Sequence, residues 1–255
     1  MFIDTHTHIY LENFKEDRNK IISECIENDV NKLLLPNIDS STINDVIKLS
    51  LDNKNICYPM VGLHPCSVKN NFEKELAILK PYVKNYSPVA IGETGIDLFW
   101  DKTTLEIQQK AFKEQISWAK EFNLPIVIHA RNSYKEIFKI LDEENSSSLS
   151  GVFHCFSSTL KDAQQILEYG NFKLGIGGVV TFKNSGLDKI VKEIDIENIL
   201  LETDAPYLTP VPFRGERNKS SYVTLIANKL SDIYQISIEE IGKITTKNAE
   251  NIFNL

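Results

Sequence analysis

The sequence has no run of about 18 apolar residues, so it lacks a segment able to form a bilayer-spanning helix. Its opening, MFIDTHTHIY, has neither the basic stretch nor the apolar core of a secretory signal, and a cytoplasmic protein is expected. Cysteine is scarce. Cys25, Cys57, Cys66 and Cys155 are the four present, and no two form a CxxC pair. This disfavours a disulfide framework and a thiolate zinc site alike, and leaves reduced thiols as the expectation. Positive charge is also in deficit: 28 Lys and Arg stand against 35 Asp and Glu, a formal net charge of −7. A general grip on duplex nucleic acid needs many neutralised phosphates, so any polyanion must be held locally. Low-complexity sequence is limited to ENSSSLSG at 144–151, too short to divide domains, and no internal repeat is evident. With 42% hydrophobic and 25% charged residues, the composition is that of an ordinary globular chain, and one domain over residues 1–255 is expected.

What the chain does contain is a recurring alternation of short apolar runs with amphipathic stretches, the pattern of strand–helix units building a parallel sheet. Eight such runs occur: Phe2 to Ile9, Lys32 to Ile38, Ile56 to Leu63, Pro88 to Asp97, Pro125 to Ala130, Gly151 to Phe156, Phe172 to Gly178 and Ile199 to Pro206. Several, such as LLLP, VAIGE and PIVIH, are apolar on consecutive residues, as strands buried on both faces should be.

Between Thr103 and Asn123, Leu105, Phe112, Ile116, Ala119 and Phe122 recur at helical spacing, and Thr103 with Glu106 has the form of a capping box. Ser237 and Glu240 repeat that signature before a final helix carrying Ile238, Ile241, Ile244, Ile252 and Phe253. Eight units in a chain of this length fit a TIM (β/α)8 barrel, with an open doubly wound sheet as the competing architecture. One connection is long: Ala205 to Ser221 carries Pro206, Pro210 and Pro212 with little periodicity, as functional loops often do.

The histidines are placed in a way that chance would not produce. His6 and His8 are two apart on the first expected strand, so both rings should leave one face. Glu93, His129, His154 and Asp204 fall at the ends of the fourth, fifth, sixth and eighth runs. In a barrel these ends share one rim, where catalytic groups of the fold lie. Singly, each residue has an ordinary explanation, such as a hydrogen-bonded core histidine or a turn carboxylate. Jointly, six buried polar side chains without a shared purpose would be costly. Four imidazoles and two carboxylates suit two divalent ions, whether magnesium, manganese or zinc, and hence a hydrolytic site.

The segments DTHTH, GLHP, GETGID, IHAR, FHCFS, GIGGVVTFKNS and ETDAPYLTPVPFRG, in this order, closely resemble the TatD family of metal-dependent deoxyribonucleases, and the match spans nearly the whole chain. The resemblance implies an amidohydrolase-like TIM barrel with His6, His8, Glu93, His129, His154 and Asp204 as metal ligands. It also implies hydrolysis of DNA, with ester or amide hydrolysis, including that of a D-aminoacyl-tRNA, as the alternative. Departures occur where the family usually reads RGKRNEP and HCFSG: Glu216, Lys219 and Ser220 replace Lys, Glu and Pro, and Ser158 replaces Gly. These are expected to lie in substrate-facing loops.

For phosphodiester hydrolysis, Glu93 is expected to link two ions that activate water, one held by His6 and His8 and the other by His129 and His154, with Asp204 accepting the proton. Arg131, Lys183, Arg214 and Arg217 lie on loops that should surround the mouth, and His64 could donate to a phosphate oxygen. The enclosed mouth favours strand ends or single strands over duplex. Phe99, Trp100, Tyr207 and Phe213 could stack on a base or equally anchor loops. No Rossmann cofactor and no membrane partner are implied, and a metal-stabilised scaffold is the non-enzymatic rival.

Overall fold

The computed structural model describes residues 1–255. Eight parallel strands pair in chain order: β1 (Phe2–Asp4), β2 (Val30–Leu35), β3 (Cys57–Val61), β4 (Ala90–Asp97), β5 (Ile126–Arg131), β6 (Gly151–Phe153), β7 (Phe172–Ile176) and β8 (Ile199–Leu201). The helices are α1 (Arg18–Glu27), α2 (Ile43–Asp52), α3 (Phe72–Tyr86), α4 (Leu105–Phe122), α5 (Tyr134–Glu144), α6 (Leu160–Glu168), α7 (Leu187–Val191), α8 (Val223–Tyr234) and α9 (Ile238–Phe253). No helix is long and apolar enough to cross a membrane.

The segments after β8 and β1 close the sheet into a barrel. Thr5 N–H donates to Leu201 O at 3.0 Å, Asp204 N–H to His6 O at 2.9 Å and His8 N–H to Ala205 O at 2.8 Å. The TIM barrel is therefore the architecture, and the open sheet is not. Each of the eight apolar runs overlaps a strand, but most strands stop short of the run's end. β1 ends at Asp4, so His6 and His8 lie beyond it rather than on it. The chain bends at Thr5 and His6 to meet the segment after β8, and only Thr7 keeps a bridge, to Ala205.

Two apolar layers surround the strands. The larger fills the space between sheet and helices, where Phe112, Ile116 and Ala119 of α4 are buried as expected. The smaller fills the floor of the barrel with Ile3, Leu34, Met60, Ala90, Val127, Val152 and Leu200, plugged from below by Ala249 and Phe253 of α9. Burying a side chain the size of Phe253 contributes about 1.5–3 kcal/mol.

The expected capping box at Thr103 does not form. Asp101 Oδ1 accepts from both the amide and the hydroxyl of Thr103, and Thr104 becomes the cap of α4. Ser237 does cap α9, accepting from Glu240 N–H at 3.2 Å. A full box stands instead at Thr159 and Asp162 before α6.

Candidate metal centre

Strand alternation carries the floor's pattern upward into the site. Val127, Val152 and Leu200 face the floor cluster, so the residues two further on, His129, His154 and Glu202, leave the same face nearer the mouth. Gly175 on neighbouring β7 leaves space for the last of these, since a Cβ there would lie 2.2 Å from Glu202 Oε2. Asp204 adopts a left-handed backbone, φ 58°, which Asp tolerates better than most side chains.

Everything converges on Glu93, which lies within β4 rather than at its end and is 2% exposed. Its Oε2 is 3.1 Å from His6 Nε2 and 3.7 Å from His8 Nε2. Its Oε1 is 2.8 Å from His129 Nδ1, 3.4 Å from His154 Nε2 and 3.4 Å from His64 Nε2. Asp204 Oδ1 lies 3.5 Å from His8 Nε2 and 3.9 Å from His6 Nε2. The six sequence-predicted side chains are thus brought together, and each oxygen of Glu93 faces a different group of rings.

The second nitrogen of each ring fixes what the first can do. Tyr10 donates its hydroxyl to Pro36 O at 2.6 Å, so it accepts from His8 Nδ1–H at 2.8 Å and leaves Nε2 bare. His129 donates Nε2–H to Asp97 Oδ2 at 2.9 Å and leaves Nδ1 bare toward Glu93. His154 Nδ1 is 3.0 Å from Glu202 Oε1, which is an ion-pair distance without hydrogen-bond alignment. His64 is arranged the other way: its Nδ1 accepts from Cys66 N–H at 3.1 Å, so the neutral ring carries its proton on Nε2. His6 Nδ1, His154 Nδ1 and Glu202 Oε2 are buried without a partner. Buried orphans beside bare lone pairs and carboxylate oxygens are the donor set a divalent cation satisfies, so the residues fit metal.

A family model for TatD-related DNases matches residues 3–254. The chain belongs to the TatD family. It is 38% identical to YabD of Bacillus subtilis, described as an uncharacterized metal-dependent hydrolase, over the full length of both chains. It is 28% identical to the similarly described YcfH of Escherichia coli, over 99% of this chain and 96% of that one. The crystal structure of the Escherichia coli TatD homologue YjjV superimposes with a TM-score of 0.93 at 27% identity, over 100% of this chain and 98% of that one. The TatD-family protein described here is accordingly a metal-dependent hydrolase.

Protonation follows from crowding. Burial opposes ionisation of Glu93, but the rings of His64, His154 and His6 outweigh it and hold its carboxyl well below the usual range. Burial likewise opposes charging His154, yet Glu202 and Glu93 push its pKa up to about 10. Asp97 is brought down to about 2 against its burial, chiefly by the His129 hydrogen bond. His6 goes the other way, lowered by burial and then by the charge on His154.

A cavity of about 800 Å³ opens above the centre, lined by His8, His64, Glu93, His129, His154 and Asp204 among others. Arg131 is its only lining Lys or Arg. Lys183 and Arg214 are exposed and do not line it; the Arg214 guanidinium packs 3.9 Å from the Phe182 ring centroid. Arg217 is engaged with Asp17 and with Asn13 O. Trp100 and Tyr207 line the cavity, whereas Phe213 stacks on Tyr222 at 4.7 Å. The departures from the family pattern also fall away from the cavity. Lys219 pairs with Glu24, Ser220 is buried and donates to Thr7 Oγ1 at 2.9 Å, and Ser158 donates to Asp162. The polar groups of these three have partners inside the fold, and Glu216 is exposed away from the cavity, which corrects their expected place on substrate-facing loops.

Sequence reasoning missed the acids and the phenol behind the rings: Asp97, Glu202, Asp4 and Tyr10. Asp4 accepts from Thr203 Oγ–H at 2.6 Å, Thr203 N–H at 2.9 Å and His6 N–H at 3.3 Å, which clasps the two segments that close the barrel. Burial pushes its pKa to about 7 despite these bonds. The signal was spacing: Glu202 precedes Asp204 by two, Asp4 precedes His6 by two, and Tyr10 follows His8 by two.

Proposed function

We propose that this chain is a deoxyribonuclease, a single hydrolase domain over residues 1–255, that cleaves phosphodiester bonds at strand ends or in single-stranded DNA. The observation that carries this reading is the division of Glu93, with Oε2 facing His6 and His8 and Oε1 facing His129 and His154. A carboxylate so placed can link two divalent ions, with His6 and His8 holding one, His129 and His154 the other, and Asp204 completing a coordination sphere. Bound there, such ions make water nucleophilic at neutral pH and offset charge on phosphoryl oxygens.

Asp204 then orients the attacking water and holds its proton at a carboxylate oxygen. His64, with its proton on Nε2, donates toward a phosphate or leaving-group oxygen instead of ligating, because Cys66 N–H occupies its other nitrogen. Arg131 meets the phosphate from the rim. A cytoplasmic setting accords with four unpaired thiols.

The test is metal analysis of the purified protein combined with cleavage of end-labelled single-stranded and duplex oligonucleotides. Stepwise release from a single-stranded end, lost on chelation with the barrel still folded, is expected. Absence of cleavage in fully metal-loaded protein overturns the reading. Turnover of a D-aminoacyl-tRNA instead would move it to ester hydrolysis, and sharp unfolding on chelation with no turnover of any substrate would leave a scaffold.

A further inference from the structure

Trp100 is the most exposed large hydrophobic side chain of the molecule, at 69%, and it stands at the edge of the cavity over the metal centre. The chain's other tryptophan, Trp118, is 1% exposed and donates its indole N–H to Glu114. An aromatic that anchors a loop buries its ring; Trp100 does the opposite. The ring is nevertheless held in place. Phe99 meets it edge-on at 5.0 Å and 88°, and the Arg131 guanidinium lies 3.9 Å from the Phe99 centroid and 5.5 Å from that of Trp100.

The turn beneath is tied to the centre through a single carboxylate. Asp97 Oδ1 accepts from the amides of Phe99 at 2.9 Å and Trp100 at 3.1 Å, while its Oδ2 accepts from His129 at 2.9 Å. Asp97 is itself 1% exposed. The position of the indole is therefore registered against a ring that faces Glu93.

We propose that Trp100, braced by Phe99 and Arg131, is the seat for the nucleobase next to the bond being cleaved. This rests on the DNA-cleaving reading and names what that site recognises. The Arg131 guanidinium meets only the Phe99 and Trp100 rings and makes no side-chain hydrogen bond or ion pair within the protein, so its donors are free for one phosphate. One guanidinium neutralises one phosphate, and no second Lys or Arg lines the cavity to hold more. Affinity must then come from an uncharged contact, and a base stacked on an aromatic face supplies it whatever the base's identity. The base must have a free face, which a terminal or unpaired nucleotide has and an internal base pair does not.

The experiment compares two oligomers of equal length and charge: a thymidine tetranucleotide and a tetranucleotide of abasic sugar phosphates. With metal-loaded wild-type protein, the thymidine oligomer should have a KM about tenfold to a hundredfold lower than the abasic one. It alone should also change the intrinsic fluorescence that Trp100 contributes. In Trp100→Ala the two KM values should converge and the fluorescence response should vanish, while Trp100→Phe keeps most of the preference. The residual emission of buried Trp118 reports that the variant is folded. The proposal is overturned if wild type does not distinguish the oligomers, or if Trp100→Ala distinguishes them as well as wild type does.

The two readings fail separately. Cleavage of both oligomers with no preference removes the base seat and leaves the nuclease. A thymidine-dependent fluorescence response that Trp100→Ala abolishes, without cleavage of either oligomer, leaves the seat and removes the nuclease.

Discussion

The floor and the mouth of this barrel are built from the same strands, one side-chain repeat apart, and they obey opposite rules. At the floor, Val127, Val152 and Leu200 pack against Ala249 and Phe253. Two residues further on stand the polar side chains of His129, His154 and Glu202, the last two buried and the first partly so. The floor is satisfied by contact alone. The mouth is satisfied only in part, since His6 Nδ1, His154 Nδ1 and Glu202 Oε2 find no partner. The difference separates stability from chemistry along a single strand: the lower repeat holds the barrel together, and the upper one holds groups that a cation must complete.

Substitutions at the two levels should therefore fail in different ways. Glu93→Ala, at the meeting point of the rings, should lower turnover about 1000-fold and reduce bound metal, with the circular dichroism spectrum kept. Full metal occupancy with normal turnover would refute the assignment. Phe253→Ala, at the floor, should lower unfolding free energy by about 3–5 kcal/mol in a urea titration while the folded enzyme keeps its kcat. A loss of metal affinity in that variant would break the separation.

Glu202→Gln should weaken metal binding about 10- to 100-fold, read by competition with a chelator, because Glu202 is the acid set behind His154. Unaltered affinity would demote it to a packing role.

The effect that is smallest near neutral pH, and that grows only in alkali, lies at the floor end of β3, where burial pushes the Cys57 thiol up to about 12. The folded state keeps this proton at a pH where the unfolded chain, with an ordinary thiol, has lost it. This part of the stability is present below about pH 8.5 and declines as pH rises toward 12, by about 1.4 kcal/mol per pH unit. Cys57→Ala should flatten the alkaline slope by that amount, and an identical slope would show that the thiol ionises as freely folded as unfolded.

How far the sequence could be read follows from the same division. Strands of a parallel barrel are buried on both faces, so LLLP, VAIGE and PIVIH were legible as continuous apolar runs. Their ends were not, because apolar character persists after hydrogen bonding stops. His6 and His8 were therefore placed on β1, although the strand stops at Asp4. The rings stood out because histidine is rare here, with five in the chain, whereas Asp97 and Glu202 were hidden among 35 acids. Loop cations were the least legible. Arg131 ends β5 and Arg214 and Arg217 follow β8, but whether a guanidinium meets the cavity, a Phe182 ring or an Asp17 carboxylate depends on contacts with distant segments.

The clasp between the segments after β1 and β8 imposes an order on assembly. Asp4 reaches Thr203 across 199 positions of sequence, and the His6 carbonyl takes its hydrogen bond from Asp204. During synthesis, the two leading imidazoles emerge long before the acid that completes their surroundings. Loop closure over so long a span is slow compared with local folding. Ion capture by the finished centre is thus a late event, and a ribosome-stalled fragment ending before β8 cannot present it.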